Sequence, residues 1–191
     1  MAKLYFRYGV VGSAKTLNLL AVAHNYRQQK KNVLLLKPAV DVRFGPDVIA
    51  TRAGLSAKAD IVVPESGEFI TPDLNTISCL LVDEAQFLPL RAVEVLHAIA
   101  HGKDVPVICY GLRADFRLQL FPATKRLFEL ADTIEEIKTT CTDCERKAVF
   151  NLKLQNNQPE LDGPVIDLGC EEKYLPVCAN CYKIRHTRQN M

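Results

Sequence analysis

The sequence predicts an α/β fold, a parallel sheet flanked by helices, followed by a small lobe organised around cysteines. Two observations carry this. Up to Thr139, short apolar runs alternate with stretches of helical periodicity, the order that builds parallel sheets through strand–helix–strand crossovers. Beyond Thr139 the chain becomes short segments and turns around two C-x-x-C pairs. The expected boundary therefore separates residues 1–139 from residues 140–191.

The elements follow in order. LYFRYG opens the chain as a strand. Lys15 to Gln29, KTLNLLAVAHNYRQQ, has apolar residues at helical spacing among good helix formers. Val33 to Leu36 reads as a buried strand that stops before Pro38. Ala53 to Asn75 is the least regular stretch. Ile77 to Val82 is a second buried strand, and Leu90 to Gly102 a helix ended by its glycine. Val105 to Tyr110 is a third strand, ATKRLFELAD a short helix and TIEEIKT an edge strand. The tail KIRHTRQNM is basic and reads as solvated.

Composition narrows the function classes. With 191 residues, 48% of them hydrophobic, the chain can bury a core, which excludes wholesale disorder. A net charge of +2 gives no reason to expect nonspecific nucleic-acid binding. No apolar run approaches the ~20 residues of a membrane helix, and MAKLYF lacks the apolar stretch of a secretory signal. The expected location is the cytoplasm. There the 7 cysteines, four of them in two C-x-x-C pairs, suggest metal rather than disulfides.

The stretch YGVVGSAKT carries the first chemistry. Gly9, Lys15 and Thr16 match G-x-x-x-x-G-K-[ST], while Ala14 stands where the second glycine belongs. A strand precedes it and a helix follows, the context of a phosphate loop and of a P-loop NTPase-like sheet. Such a turn aims backbone N–H groups and a helix N-terminus at phosphate. Gly9, Val10, Val11, Gly12, Ser13 and Ala14 would form the cradle, Lys15 would neutralise outer phosphates, and Thr16 would meet Mg²⁺. If the backbone at Ala14 needs a positive φ, its Cβ costs about 1 kcal/mol; Gly12 adds freedom inside the loop. The alternative is an ordinary strand-to-helix turn with a surface lysine.

CLLVDEAQF places Asp83 and Glu84 at the C-terminal end of an apolar strand, the edge where open α/β sheets bind ligands. One acid there can hold Mg²⁺ through water, and a second can deprotonate a nucleophile. The alternative is capping of the following helix. In the last third, Cys141, Cys144, Cys178 and Cys181 offer the four thiolates of a closed, structural zinc site. Cys79 and Cys109 fall in apolar strands and read as core; Cys170 has no assignment.

Taken together, the motifs resemble the zinc-containing type II thymidine kinases. The matching segments are KPAVDVRFG at Lys37 to Gly45, DEAQF at Asp83 to Phe87, GLRADFR at Gly111 to Arg117, and KYLPVCANC at Lys173 to Cys181. They run in order along essentially the whole chain. The resemblance implies a kinase that transfers the γ-phosphate of ATP to the 5′-hydroxyl of thymidine. Glu84 would be the general base. Asp83, Gln86 and Arg43 would join the phosphate loop in holding ATP, with Thr16, Asp41 and Asp83 around Mg²⁺. Val11, Phe87, Leu112, Phe116 and Tyr174 would hold thymidine, together with a strap around Leu168, Gly169 and Cys170. The resemblance further implies structural Zn²⁺, a homotetramer and dTTP as feedback inhibitor, with no nucleic acid or membrane partner. Two departures touch substrate-facing backbone: Ala14, and Cys170 where the family has glycine.

Two other readings of the residues stay open at this stage. DEAQ at a strand end also serves nucleic-acid-stimulated P-loop ATPases, although 191 residues leave no room for a second motor core. A non-catalytic zinc-ribbon module on a decayed nucleotide fold is the other.

Overall fold

The structure, a computed structural model, describes residues 1–160, 162–165 and 173–187. In chain order the first part contains β1 (Leu4–Gly9), α1 (Lys15–Gln28), β2 (Val33–Pro38), β3 (Val48–Ala50), β4 (Ser56–Lys58), β5 (Ile61–Val63), β6 (Cys79–Val82), α2 (Leu90–Gly102), β7 (Val107–Leu112), α3 (Pro122–Leu130) and β8 (Thr133–Glu136). Six of these strands form one sheet in the order β5-β2-β6-β7-β1-β8, and every pair in it is parallel. β3 and β4 form a separate antiparallel hairpin.

The period-two alternation of the strands explains the layering. In β2, Leu34 and Leu36 pack on one face with Leu80, Val82, Leu96 and Leu127, under α2 and α3. Val33 and Leu35 pack on the opposite face with Leu19, Leu81 and Ile108, under α1. All six residues of β2 are buried, as expected of a strand covered on both sides.

A second, smaller core lies in the C-terminal part. β9 (Phe150–Gln155), β10 (Gln158–Pro159) and β11 (Tyr174–Val177) form an antiparallel sheet in the order β10-β9-β11. Leu152 and Val177 are buried there beside Cys141 and Cys178. α4 (Ala179–Thr187) closes the lobe.

Several expectations shift. β2 runs on to Pro38, whose register partner is Val63; the proline stands last in the strand, where its missing donor does little harm. The second buried strand is shorter than expected, starting at Cys79, and the third starts later, at Val107, and reaches Leu112. The irregular stretch from Ala53 contains β5, an edge strand of the main sheet. Three residues are too few to show a period. The start of the basic tail is not merely solvated, since Arg185 pairs with Asp143; just before the tail, in α4, the Tyr182 hydroxyl donates to the Phe116 carbonyl (2.6 Å).

Candidate active site

Parallel strands send their C-terminal ends to one edge, so the loops after β1, β2, β6 and β7 converge there. The turn after β1 is tight. A Cβ at Gly9 would collide with the Ser13 side chain and stand 2.7 Å from the Ile137 carbonyl, so only glycine fits. Ala14 adopts φ 62° and ψ 28°, the left-handed conformation a glycine would favour. Helix α1 begins at the next residue. The buried Lys15 ammonium donates to the Val10 carbonyl (2.8 Å) and lies 3.5 Å from Ser13 Oγ. Burial lowers its affinity for its proton, against the pull of Glu84 and Asp83.

The β6 end meets this loop. The Thr16 hydroxyl lies 3.1 Å from both oxygens of Asp83, whose carboxyl is pushed up by burial and by the adjacent Glu84 charge. A hydroxyl and a carboxylate side by side at the mouth of a phosphate loop are oxygen donors of the kind Mg²⁺ accepts, so the residues fit that ion. Glu84 itself sits at φ 48°, another left-handed non-glycine residue. One carboxylate oxygen meets Arg43 Nη2 at 2.6 Å, and the other accepts from Gln86 Nε2 at 2.5 Å. Arg43 is in turn gripped by Asp41, at 2.6 Å and 3.2 Å. Burial opposes the Arg43 charge, but Glu84 and Asp41 hold the guanidinium protonated. Burial also opposes the Asp41 charge, yet Arg43 and the buried Lys37, 3.6 Å away, keep that carboxyl below the usual range.

Gln86 completes the frame. Its Oε1 accepts from the Leu112 N–H at 2.9 Å, joining the β6 and β7 ends. A Cβ on Gly111 would stand 2.9 Å from that oxygen, which accounts for the glycine of GLRADFR.

Between these ends opens a cavity of about 290 Å³. It is lined by Gly12, Ala14, Lys15 and Thr16 of the loop and the start of α1, by Phe87, Leu112, Phe116, Phe121 and Tyr174, and by Phe44, Arg52, Arg43, Glu84 and Gln86. The loop before α1, the Glu84 carboxylate held by Arg43 and Gln86, and several aromatic side chains thus share one cavity.

The thymidine kinase family matches residues 2–182 of this chain. A thymidine kinase of Lactiplantibacillus plantarum is 42% identical over 184 residues, covering 95% of this chain and 96% of that protein. Those of Streptococcus gordonii, 41% identical with the same coverage, and Chromobacterium violaceum, 39% identical over 95% of this chain and 98% of that protein, are similarly close. The chain belongs to the thymidine kinase family.

The C-terminal lobe also borders the cavity, through Asn151, Val165 and Tyr174. Its docking on the GLRADFR segment uses Arg113 donating to the Val149 carbonyl (2.9 Å), Arg117 donating to the Gly163 carbonyl, and the Tyr182 contact. The fully buried Lys153 ammonium stands 3.0 Å from Glu160 and 5.1 Å from the Phe116 ring centre. The four sulfurs of Cys141, Cys144, Cys178 and Cys181 all lie within 4.8 Å of one another. A tetrahedral Zn–S distance of about 2.3 Å implies sulfurs about 3.8 Å apart; Cys144 to Cys178 and Cys144 to Cys181 are each 3.7 Å. Burial opposes charge on Cys141, but surrounding backbone N–H groups bring its thiol down to about 7. The donor set fits structural zinc.

Of the residues singled out in the sequence, Val11, Gly12, Ala14, Lys15, Thr16, Arg43, Glu84, Gln86, Phe87, Leu112, Phe116 and Tyr174 line the cavity. Gly9, Val10, Ser13, Asp41 and Asp83 stand behind it as supports. Asp41 is turned onto Arg43 and Lys37, and the Gln86 amide onto Glu84 and Leu112. Leu168, Gly169 and Cys170 lie outside the described residues. The sequence did not point to Phe44, Arg52, Phe121 or Asn151, all of which line the cavity. Phe44 stands inside the quoted KPAVDVRFG segment; the other three had no local signal.

Proposed function

We propose that this chain phosphorylates thymidine, moving the γ-phosphate of ATP to the 5′-hydroxyl to give dTMP. The observation that carries the proposal is one cavity lined together by the Glu84 carboxylate, by Lys15 and Thr16 of the loop, and by Phe87, Leu112, Phe116 and Tyr174. Lys15 and the N–H groups of the loop bind the triphosphate, and Arg43 adds positive charge beside it. Glu84, held by Arg43 and Gln86, takes the proton of the 5′-hydroxyl as that oxygen bonds to the γ-phosphorus and the bond to ADP breaks. Bound Mg²⁺ would neutralise phosphate charge, with Thr16 and Asp83 to hold it. The aromatic wall accepts the thymine ring and its methyl group. Thymine's edge of two carbonyls and one N–H calls for two donors and one acceptor from the protein, a set that disfavours bases carrying an amino group.

Residues 1–139 act in this reading as the nucleotide-binding domain, and residues 140–191 as a zinc-held lobe that takes part in binding the nucleoside. The enzyme works in the cytoplasm as a homotetramer, with dTTP as feedback inhibitor. The decisive experiment follows phosphate transfer from Mg·ATP to thymidine beside deoxycytidine and a control without nucleoside. Transfer specific to thymidine supports the proposal. ATP hydrolysis indifferent to nucleoside, or silence in all three, overturns it.

A further inference from the structure

One peptide unit of the phosphate loop is held at both ends. The Val10 carbonyl accepts from Lys15 Nζ at 2.8 Å and from the Ser13 N–H at 3.3 Å. The N–H of the same peptide, on Val11, donates to Asn151 Oδ1 at 2.8 Å. A peptide is planar and trans, so its N–H and C=O point in opposite directions. Pinning the N–H therefore fixes where the carbonyl points, and with it the seat of the Lys15 ammonium.

Asn151 reaches this peptide from β9, in the C-terminal lobe, 140 residues away along the chain. It is only 4% exposed. Its Nδ2 donates to the Ala114 carbonyl at 3.1 Å, just beyond β7. The two partners fix the side-chain orientation, because the N–H requires an acceptor and the carbonyl a donor. One amide thus ties together the phosphate loop, the segment after β7 and the lobe. The Val11 N–H, spent on Asn151, faces away from the Lys15 side of its peptide.

We propose that Asn151 is a positioning residue for the phosphate loop. By clamping the Val10–Val11 peptide it sets the place of the Lys15 ammonium, and so makes triphosphate affinity depend on the docking of the C-terminal lobe. The proposal rests on reading Gly9 to Thr16 as a phosphate site. Asn151 also borders the cavity, so direct contact with the nucleoside is the competing role that the experiment must separate.

The test is a double-mutant cycle on Mg·ATP affinity, measured by calorimetry on the intact chain without nucleoside. Asn151→Leu keeps the branching and number of side-chain heavy atoms and removes both hydrogen bonds. Its dissociation constant for Mg·ATP rises about tenfold, the scale of one lost hydrogen bond to a buried group, while KM for thymidine stays within about twofold. In a Lys15→Met background the same change adds little, because the group it positions is gone. Asn151→Ala, which also removes both hydrogen bonds, shows the same loss and carries the cycle if the leucine variant does not fold. Full additivity with Lys15→Met overturns the proposal. So does a selective rise in thymidine KM at unchanged Mg·ATP affinity, which makes Asn151 a nucleoside contact. The two readings fail separately: a wild-type chain that binds Mg·ATP but transfers nothing to thymidine sinks the kinase, whereas Mg·ATP affinity indifferent to Asn151→Leu sinks the clamp alone.

Discussion

Gln86 donates a 2.5 Å hydrogen bond to one oxygen of Glu84, while Arg43 takes the other at 2.6 Å. Both carboxylate oxygens are thus aimed, and the backbone of Glu84 is bent into the left-handed region to allow it. Strain of this kind, of order 1–3 kcal/mol, persists only where the surroundings over-determine the conformation. Here they do, through Arg43, Asp41 and Gln86. Glu84→Gln keeps the shape and removes the base. Turnover with thymidine should fall about 10²- to 10⁴-fold, with Mg·ATP affinity nearly unchanged. Steady-state kinetics beside an ATP titration measures both; turnover near that of the wild type removes Glu84 from the role of base.

Gly111 tests the frame without touching the carboxylate. An added Cβ would stand 2.9 Å from Gln86 Oε1 and 3.1 Å from the Gln86 backbone nitrogen. The neighbour is partly backbone, so the strain is not easily relieved. Gly111→Ala should displace the Gln86 amide, lower kcat about tenfold or more and destabilise the fold by about 1–3 kcal/mol. Urea unfolding and kcat report the two effects separately. An unaltered kcat in a destabilised protein would mean that Gln86 does not set the geometry of Glu84.

Ala14 already adopts φ 62° in the free chain. The strain of about 1 kcal/mol therefore falls on folding rather than on nucleotide binding. Ala14→Gly relieves it but also frees the unfolded chain, which costs about 0.4–1 kcal/mol. The two nearly cancel. Stability should change by less than about 1 kcal/mol, and Mg·ATP affinity by less than about twofold. A many-fold gain in affinity would instead show that the Ala14 side chain, which borders the cavity, obstructs the phosphates.

What the sequence revealed and concealed follows from the range of the contacts. Lys15, Thr16, Asp83 and Glu84 are legible because a phosphate loop and an acidic strand end are local patterns that the parallel sheet brings to one edge. The buried strands were found but not their ends, since pairing rather than propensity stops a strand. Gln86 was read among phosphate contacts; the hydrogen bonds of its amide with Glu84 and Leu112 depend on a left-handed turn at Glu84 that no residue type announces. Lys37 is buried on the Gly45 and Val48 carbonyls, a place a lysine seldom occupies and its sequence gives no hint of. Asn151 stayed hidden for the same reason at longer range: its meaning exists only after the lobe has docked.

The four-cysteine cluster makes the last expectation. Leu152, Val177 and their neighbours form too small a core to hold the lobe alone, and the lobe places Lys153 and Tyr182 against the Phe116 segment. Carefully purified protein should contain one zinc per chain. Cys178→Ser should abolish that zinc, because the remaining three thiols no longer close a tetrahedral site. With the lobe loosened, the Tyr182 and Arg113 contacts weaken, KM for thymidine rises, and unfolding of the lobe precedes that of the α/β core. The core keeps its own hydrophobic clusters on both sheet faces, so far-UV circular dichroism should lose little helix signal at the temperature where the lobe opens. Metal analysis by plasma emission and a thermal melt followed by tyrosine fluorescence make the measurements. Folded, active protein without zinc would show that the four thiols hold the lobe without a metal. A single cooperative melt of both parts in Cys178→Ser would show that docking onto Phe116, rather than the cluster, holds the lobe in place.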